Sequence, residues 1–138
     1  MSAYETFEHT ADIGLRMTAA DVNGLFATAG RGLFSLIVEN LDAVRTTHEI
    51  QVALEASDLD GLLVDWLSEL LYHFETARLV GRTFEVRIDA GRLTATVRGE
   101  PLDEARHETH LHVKAITYHG LRVEETDDGW RAEVIVDI

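Results

Sequence analysis

Apolar residues recur at three- and four-residue steps in two stretches of the chain, which is the spacing of an amphipathic helix. The first helix is predicted to begin after Asp21, whose carboxylate can accept from the free N–H groups of the first turn, and to run to about Val38. The second is predicted to begin after Ser57 or Asp58 and has the more regular repeat, with Trp66 near the centre of the core. Their apolar positions are Leu25, Phe26, Ala29, Leu33, Leu36 and Ile37, then Leu59, Leu62, Leu63, Trp66, Leu67, Leu70, Leu71 and Phe74.

Three glycines lie inside the first helical repeat, and each is expected to cost about 1 kcal/mol relative to alanine in a helix interior. They are Gly24, Gly30 and Gly32. Packing against neighbouring elements must therefore hold this helix together. A glycine also permits the close approach of another element.

Strand-like alternation of apolar and polar residues fills most of the remaining chain. Two strands are predicted around residues 4–7 and 13–17, a third at 50–54, and a hairpin at 83–97 with its tight reversal at Gly91. Residues 98–110, which hold the only proline, are predicted to form a long exposed loop. Three further strands are predicted at 111–119, 121–125 and 130–137.

Strands and helices in this order, without steady alternation of the two, are typical of an α+β fold. We expect two main helices packed on a mostly antiparallel β-sheet. At 138 residues the chain suits one domain with a single core. We therefore expect residues 1–138 to form a single compact domain.

The composition narrows the classes of function. The net charge is −13, so autonomous nucleic-acid binding is not expected. The chain has no cysteine, which excludes disulfides and thiolate metal sites. It has neither a signal-like N-terminal segment nor an apolar run near the roughly 20 residues of a membrane span. We expect a cytoplasmic protein with no membrane association.

A short polar break, residues 8–14, separates the first two predicted strands and contains His9, Thr10 and Asp12. Such a position can place nitrogen and oxygen ligands on a fairly rigid sheet edge. The alternative is a turn, in which Thr10 and Asp12 bond local backbone N–H groups.

The last predicted strand ends in Asp137 and Ile138. The side-chain carboxylate of Asp137 and the terminal carboxylate of Ile138, brought near a third such as Asp12, would form a hard-oxygen site suited to Ca²⁺ or Mg²⁺. The alternative is that they only solvate a strand end. Their separation along the sequence does not decide between the two.

Three histidines, His107, His110 and His112, form the densest histidine cluster. Their spacing, without cysteine or a helical HExxH motif, is a weak zinc signature, and a histidine-rich surface loop is the interpretation we favour. The motifs GxSxG, GxxxxGK[ST] and GxGxxG are absent from the sequence, so acyl transfer, nucleotide hydrolysis and dinucleotide-dependent redox chemistry lack their usual anchors.

Three sequence blocks together resemble the archease family. They are residues 7–14 (FEHTADIG), residues 113–120 (VKAITYHG), and Gly129-Trp130 leading to Val136-Asp137-Ile138. The resemblance covers nearly the whole chain and includes the helix segment WLSELLY. The chain departs from the family pattern in the three glycines of the first helix and in the number of histidines within residues 106–112.

The resemblance implies a non-enzymatic activator of the tRNA-splicing RNA ligase, which joins 2′,3′-cyclic-phosphate ends to 5′-hydroxyl ends. Archeases promote guanylylation of that ligase and so support multiple turnover. The implied metal residues are Asp12, Asp137 and Ile138, with Ca²⁺ as the implied metal and Mg²⁺ or Mn²⁺ as alternatives. Glu39, at the end of the first helix, is a candidate for an additional contribution to this site or for a contact with the partner. Lys114, the only lysine in the chain, is a candidate for a role in activation or partner contact.

Two competing classes of function remain. One is a chaperone-like modulator that binds an RNA-modifying enzyme such as a methyltransferase without affecting ligase turnover. The other is a small enzyme, for which the sequence offers no recognisable nucleophile or general-base motif.

Overall fold

Two antiparallel sheets and two helices make up the structure, a computed structural model that describes residues 2–9 and 12–138. The first sheet has the strand order β1-β2-β7-β6 and the second the order β3-β5-β4. In chain order the elements are β1 (Ala3–His9), β2 (Asp12–Ala19), α1 (Val22–Ile37), a short 3₁₀ helix (Leu41–Ala43), β3 (His48–Glu55), α2 (Leu59–Ala77), β4 (Leu79–Asp89), β5 (Arg92–Pro101), β6 (Ala115–Thr126) and β7 (Gly129–Asp137).

Both helices begin where their capping residues predict. The side chain of Asp21 accepts from the N–H of Gly24 at 2.7 Å, and that of Asp58 accepts from the N–H of Gly61 at the same distance. Each bond satisfies one of the N–H groups that the first turn of a helix leaves without an intrahelical partner. The capping predictions are therefore confirmed, with Asp58 rather than Ser57 as the cap of α2.

Helix α1 packs against β2 of the first sheet and β4 of the second, and its glycines explain how it fits there. A Cβ added at Gly30 would lie 2.9 Å from the ring of Phe84 on β4, and one at Gly32 would lie 3.0 Å from Leu15 on β2. Both distances are shorter than an ordinary carbon–carbon contact. The glycines therefore admit a large side chain from each sheet against the helix backbone, and this packing offsets their low helix propensity.

The core lies between the sheets and the helices, with Trp66 fully buried in it. The indole N–H of Trp66 donates to the carbonyl oxygen of Phe26 at 2.9 Å, so its one polar group is satisfied. The ring of Phe84 stacks on Phe34 and meets Trp66 edge to face, at centroid distances of 6.1 and 6.2 Å. The central position predicted for Trp66 is confirmed.

The α+β prediction is confirmed: two helices pack on antiparallel sheets in a single compact domain. The strands form two sheets, however, where one was expected. Among the described residues, no helix is both long and apolar enough to cross a membrane.

The expectation of an exposed loop over residues 98–110 is wrong at its start, because β5 continues to Pro101. Gly99 and Pro101 resemble turn residues in the sequence. In the structure Gly99 lies so close to β4 that an added Cβ would be 1.8 Å from the carbonyl oxygen of Val80. Pro101 is the last residue of the strand, where the missing N–H is tolerated.

The strands predicted at 111–119 and 121–125 are one strand, β6, which begins later, at Ala115. Its pairing with β7 shifts register between Thr117 and Arg122. The irregularity interrupts the alternation within one strand, so the prediction of two separate strands is wrong.

Candidate functional site

Asp12 and Asp137 lie directly opposite one another in the pairing of β2 with β7. Directly paired residues of antiparallel strands have Cα atoms about 4.5–5.5 Å apart and side chains on the same face of the sheet. The neighbour Ile13 packs against the core, so Asp12 belongs to the opposite face. The fold thus brings the two carboxylates to one end of the first sheet, on the face turned away from the helices, which we call the outer face.

The end of β7 that carries Asp137 is held by both neighbouring strands, β2 and β6. Ala115, the first residue of β6, pairs with Asp137, and the backbone N–H of Lys114 donates to the carbonyl oxygen of Asp137 at 2.8 Å. Ile138 packs its side chain against the core. The end of β7 is therefore fixed by strand pairing on both sides and by apolar contact beyond it.

The outer face next to the carboxylate pair is covered by an aromatic ring. Gly14 pairs with Phe7, and an added Cβ at Gly14 would lie 2.0 Å from that ring. The guanidinium of Arg16 lies over the same ring, 4.6 Å from its centroid, and bonds Glu5 at 2.6 Å and Glu133 at 3.3 Å. These two hydrogen bonds raise the pKa of Arg16. The strands that carry the carboxylates are thus joined across their outer face by Phe7 and Arg16.

Glu39 and Lys114, the two further candidates, lie outside the helices and strands, Glu39 shortly after α1 and Lys114 directly before β6. The carboxylate of Glu39 pairs with Nδ1 of His110 at 3.1 Å, and its backbone N–H donates to the carbonyl oxygen of Glu108 at 2.7 Å. Lys114 has an exposed side chain directly before β6. Over the described ranges 2–9 and 12–138, no three His, Asp or Glu side chains form a group able to hold a metal. Glu39 therefore does not join Asp12 and Asp137 in a three-carboxylate cluster.

The remaining residues of the polar break are incompletely described. Thr10, interpreted above as a turn residue, lies outside the described residues. The backbone of His9 pairs with that of Asp12 as β1 meets β2. The assignment of Asp12, Asp137 and Ile138 as metal ligands stays a prediction.

The three histidines of the cluster have separate environments. His107 is buried, with 3% exposure, so the interpretation of a histidine-rich surface loop is wrong for this residue. His110 pairs with Glu39, and His112 is exposed. No zinc site groups them in the described part of the chain.

His107 belongs to a buried ionic network with Glu100 and Arg106, which we call the Glu100 network. The carboxylate of Glu100 accepts from the N–H of Arg45 at 2.7 Å, from Nε2 of His107 at 3.0 Å and from the guanidinium of Arg106. The N–H of Asp103 donates to Nδ1 of His107 at 3.0 Å, which fixes the proton of the ring on Nε2. Burial by itself raises the pKa of Glu100, but the hydrogen bonds from Arg106, Arg45 and His107 outweigh it and lower the pKa to about 2.

The Glu100 network anchors the segment that follows β5. Arg106 also donates to the carbonyl oxygen of Ala43 at 3.1 Å, and its own carbonyl accepts from the side chain of Asn40 at 2.9 Å. Sequence reasoning missed this network because nothing local marks Glu100 as buried. The one available signal was a glutamate, an arginine and a histidine within eight residues.

The chain matches a known protein family over nearly its whole length. A family model described as the Archease protein family matches residues 4–138. The chain belongs to the archease family. The match includes both Asp12 and Asp137, so both carboxylates of the pair lie within the part shared with archeases.

Curated archeases are similar over their full length. The chain is 39% identical over 139 residues to Protein archease of Methanopyrus kandleri, covering 98% of this chain and 99% of that protein. It is also 39% identical over 143 residues to Protein archease of Pyrococcus abyssi, with complete coverage of both. Archease membership therefore does not rest on one segment of the chain.

Solved structures agree in fold. The solution structure of Methanobacterium thermoautotrophicum protein 1598 superposes with a TM-score of 0.86 at 32% identity, over 98% of both chains. The crystal structure of an archease, possible chaperone, from Thermotoga maritima gives a TM-score of 0.69 at 19% identity, over 97% of this chain and 96% of that one. The second likeness concerns the archease fold alone.

Proposed function

We propose that this protein activates the tRNA-splicing RNA ligase that joins 2′,3′-cyclic-phosphate ends to 5′-hydroxyl ends, by promoting guanylylation and multiple turnover of that ligase. The observation that carries the proposal is the direct pairing of Asp12 with Asp137 in a chain that belongs to the archease family. Asp12 and Asp137 belong to two of the three sequence blocks that resemble archeases, and the fold makes them neighbours in the first sheet. Activation is an effect on a protein partner, so it requires no nucleophile in this chain.

A divalent cation fits the donors at this pair. Asp12 and Asp137 present carboxylate oxygens on one face, and one oxygen of Asp12, Oδ1, is buried from solvent. Hard oxygen donors suit Ca²⁺, Mg²⁺ and Mn²⁺ rather than zinc or copper. Asp12, Asp137 and the carboxylate of Ile138 would hold the ion, with Ca²⁺ as the first candidate. A bound ion would offset the repulsion between like charges on paired strands.

The charge of the protein supports a basic partner. A net charge of −13 draws the protein towards a positively charged cleft such as one that binds RNA. The outer-face carboxylates would then either occupy phosphate positions in that cleft or deliver a cation to it. The two hypotheses make different predictions for a variant that no longer binds metal.

The direct test is a multiple-turnover ligation assay with the cognate ligase, with and without this protein. We expect more product per ligase molecule and faster formation of the guanylylated ligase when the protein is present. Absence of stimulation at every stoichiometry would refute the proposal. Stable association without any change in turnover would instead favour the chaperone-like modulator.

The role of the cation is tested with Asp137→Asn, using Asp128→Asn as the matched control. Asp128 is an exposed aspartate in the turn that precedes β7, at the other end of the same strand. We expect added Ca²⁺ to raise the Tm of the wild type and of Asp128→Asn, and to leave that of Asp137→Asn unchanged. If Asp137→Asn no longer binds Ca²⁺ but stimulates guanylylation fully, cation delivery is refuted and surface complementarity remains.

A further inference from the structure

Strand β6 contains an insertion opposite Val134 of β7. Thr117 pairs with Ile135 and Arg122 pairs with Glu133, so residues 118–121 of β6 face the single residue Val134. An antiparallel ladder without irregularity would place one residue there. The three additional residues form a bulge, and bulges direct side chains away from the regular positions of a sheet.

The bulge folds over the outer face. Gly120 has a φ of +63°, a left-handed conformation that glycine adopts readily, and an added Cβ there would lie 4.0 Å from Cγ1 of Ile135. Ile135 alternates with the core residues Val134 and Val136 and therefore points to the outer face. It is nevertheless buried, with 5% exposure. Since the core lies on the other side, the bulge and its neighbours on the outer face must cover Ile135.

The hydroxyl of Thr117 fixes the start of the bulge. It donates to the carbonyl oxygen of Ile135 at 3.0 Å and accepts from the N–H of His119 at 3.3 Å. The residue between them, Tyr118, has 65% of its surface exposed. This value exceeds those of the other exposed large apolar side chains in the described ranges, Tyr72 at 57% and Tyr4 at 39%. A backbone anchored on both sides thus holds an aromatic side chain in solvent.

Tyr118 lies three residues along β6 from Ala115, the residue that pairs with Asp137. Thr117 is opposite Ile135, two positions before Asp137, and such diagonal neighbours have Cα atoms about 7–8 Å apart. Tyr118 is one residue further, about 3.8 Å along the chain. The exposed Tyr118 and the two carboxylates are therefore carried by strands that meet at the same end of the first sheet.

We propose that Tyr118 is the anchor by which the protein docks on its ligase, and that the bulge of residues 118–121 orients it. This inference rests on the proposed function and adds the contact surface. The partner is a protein with a positively charged cleft and an apolar recess at its rim. The cleft receives the Asp12–Asp137 carboxylates, and the recess receives the ring. Tyrosine is among the residues that most often dominate binding energy at protein interfaces, because a rigid ring buries a large area with little loss of conformational entropy.

The test measures equilibrium binding of the full chain to labelled ligase by fluorescence anisotropy, with ligation turnover as a second readout. We compare the wild type with Tyr118→Ala and with the control Tyr72→Ala, which removes a similarly exposed ring from α2. We expect Tyr118→Ala to weaken binding at least about tenfold, as for an interface anchor, with an unchanged Tm. Tyr72→Ala should bind as the wild type does.

A second variant, Tyr118→Lys, keeps a long side chain on the bulge but turns a positive charge towards a positive cleft. We expect it to bind more weakly than Tyr118→Ala at low salt, and the difference to shrink as ionic strength rises. Equal affinity of Tyr118→Ala, Tyr118→Lys and the wild type would overturn the docking inference, even if the wild type stimulates the ligase. If the wild type binds the ligase but does not stimulate ligation, the proposed function fails. The role of Tyr118 is then decided by comparing the affinities of the wild type, Tyr118→Ala and Tyr72→Ala.

Discussion

The Glu100 network leads to a specific prediction for Glu100→Gln. This change keeps the size of the side chain but removes the charge that faces Arg106 and replaces one acceptor oxygen with a donor NH₂ group. Glu100 is buried, with 6% exposure, and its carboxylate accepts from three different groups. A glutamine amide has a single acceptor oxygen for those donors. At least one buried donor therefore loses its partner, and Arg106 loses its counter-charge.

The magnitude follows from the pKa. Lowering the pKa of Glu100 from 4.5 to about 2 corresponds to about 3 kcal/mol, at 1.36 kcal/mol per pH unit. Because the side chain of Arg106 is 28% exposed, solvent screening reduces this value. We expect Glu100→Gln to lower the free energy of unfolding by about 2–3 kcal/mol, which for a domain of this size is a fall in Tm of roughly 7–10 °C.

The pH dependence provides a second measure of the same effect. Because the pKa of Glu100 is lower in the folded state than in the unfolded state, its stabilisation is complete above about pH 5 and is lost as the pH falls towards 2. Urea unfolding followed by tryptophan fluorescence at pH 7, 5, 4 and 3 should show the wild type and Glu100→Gln converging in stability as the pH decreases.

The matched control is Glu85→Gln, which removes a carboxylate that also pairs with an arginine. Glu85 contacts Arg98 at 2.6 Å, but its side chain is 68% exposed. We expect little change in unfolding midpoint, since exposed ion pairs contribute little. If Glu100→Gln and Glu85→Gln unfold at the same urea concentration, or if the effect of Glu100→Gln does not diminish between pH 7 and 3, the reasoning from the Glu100 network is refuted.

Three further substitutions test the packing and capping that position the site. Trp66→Phe removes the buried hydrogen bond to the carbonyl of Phe26 and part of the buried ring volume, and should cost about 1–3 kcal/mol in urea unfolding. An unchanged midpoint would mean that neither the bond nor the lost volume contributes to stability. Gly14→Ala places a methyl group against the ring of Phe7 and should lower the free energy of unfolding by about 1–3 kcal/mol through overpacking. In a Phe7→Ala background the same substitution should cost much less; if the two substitutions lower stability additively, there is no direct clash between them. Asp58→Ala removes the cap of α2 and should lower stability by about 1 kcal/mol, measured by thermal unfolding against Asp60→Ala, whose side chain is not the cap.

The sequence was most informative where local chemistry decides the structure. The capping aspartates and the apolar repeat around Trp66 depend on neighbouring residues, and the structure reproduces both. The turn at Gly91 has a positive φ and joins β4 to β5 as the residue type indicates. These features could be predicted because each needs only a few consecutive positions.

The features that escaped prediction depend on residues far apart in the chain. Gly99 and Pro101 belong to a strand because β3 and β4 pair on either side of β5, which nothing in their own neighbourhood indicates. His107 is buried because Glu100 and Asn40 hold its segment. The bulge at residues 118–121 of β6 was not predicted because the alternation of apolar and polar residues does not reveal how many residues face Val134.

The pairing of β2 with β7 has a consequence for the order of folding. It joins segments more than a hundred residues apart in the sequence, and so carries a large loop-closure cost before its contacts form. The β1–β2 hairpin, by contrast, can form locally. We therefore expect Asp12 and Asp137 to become neighbours late in folding. A partner that recognises both carboxylates at once would discriminate finished molecules from incomplete ones without any separate checkpoint.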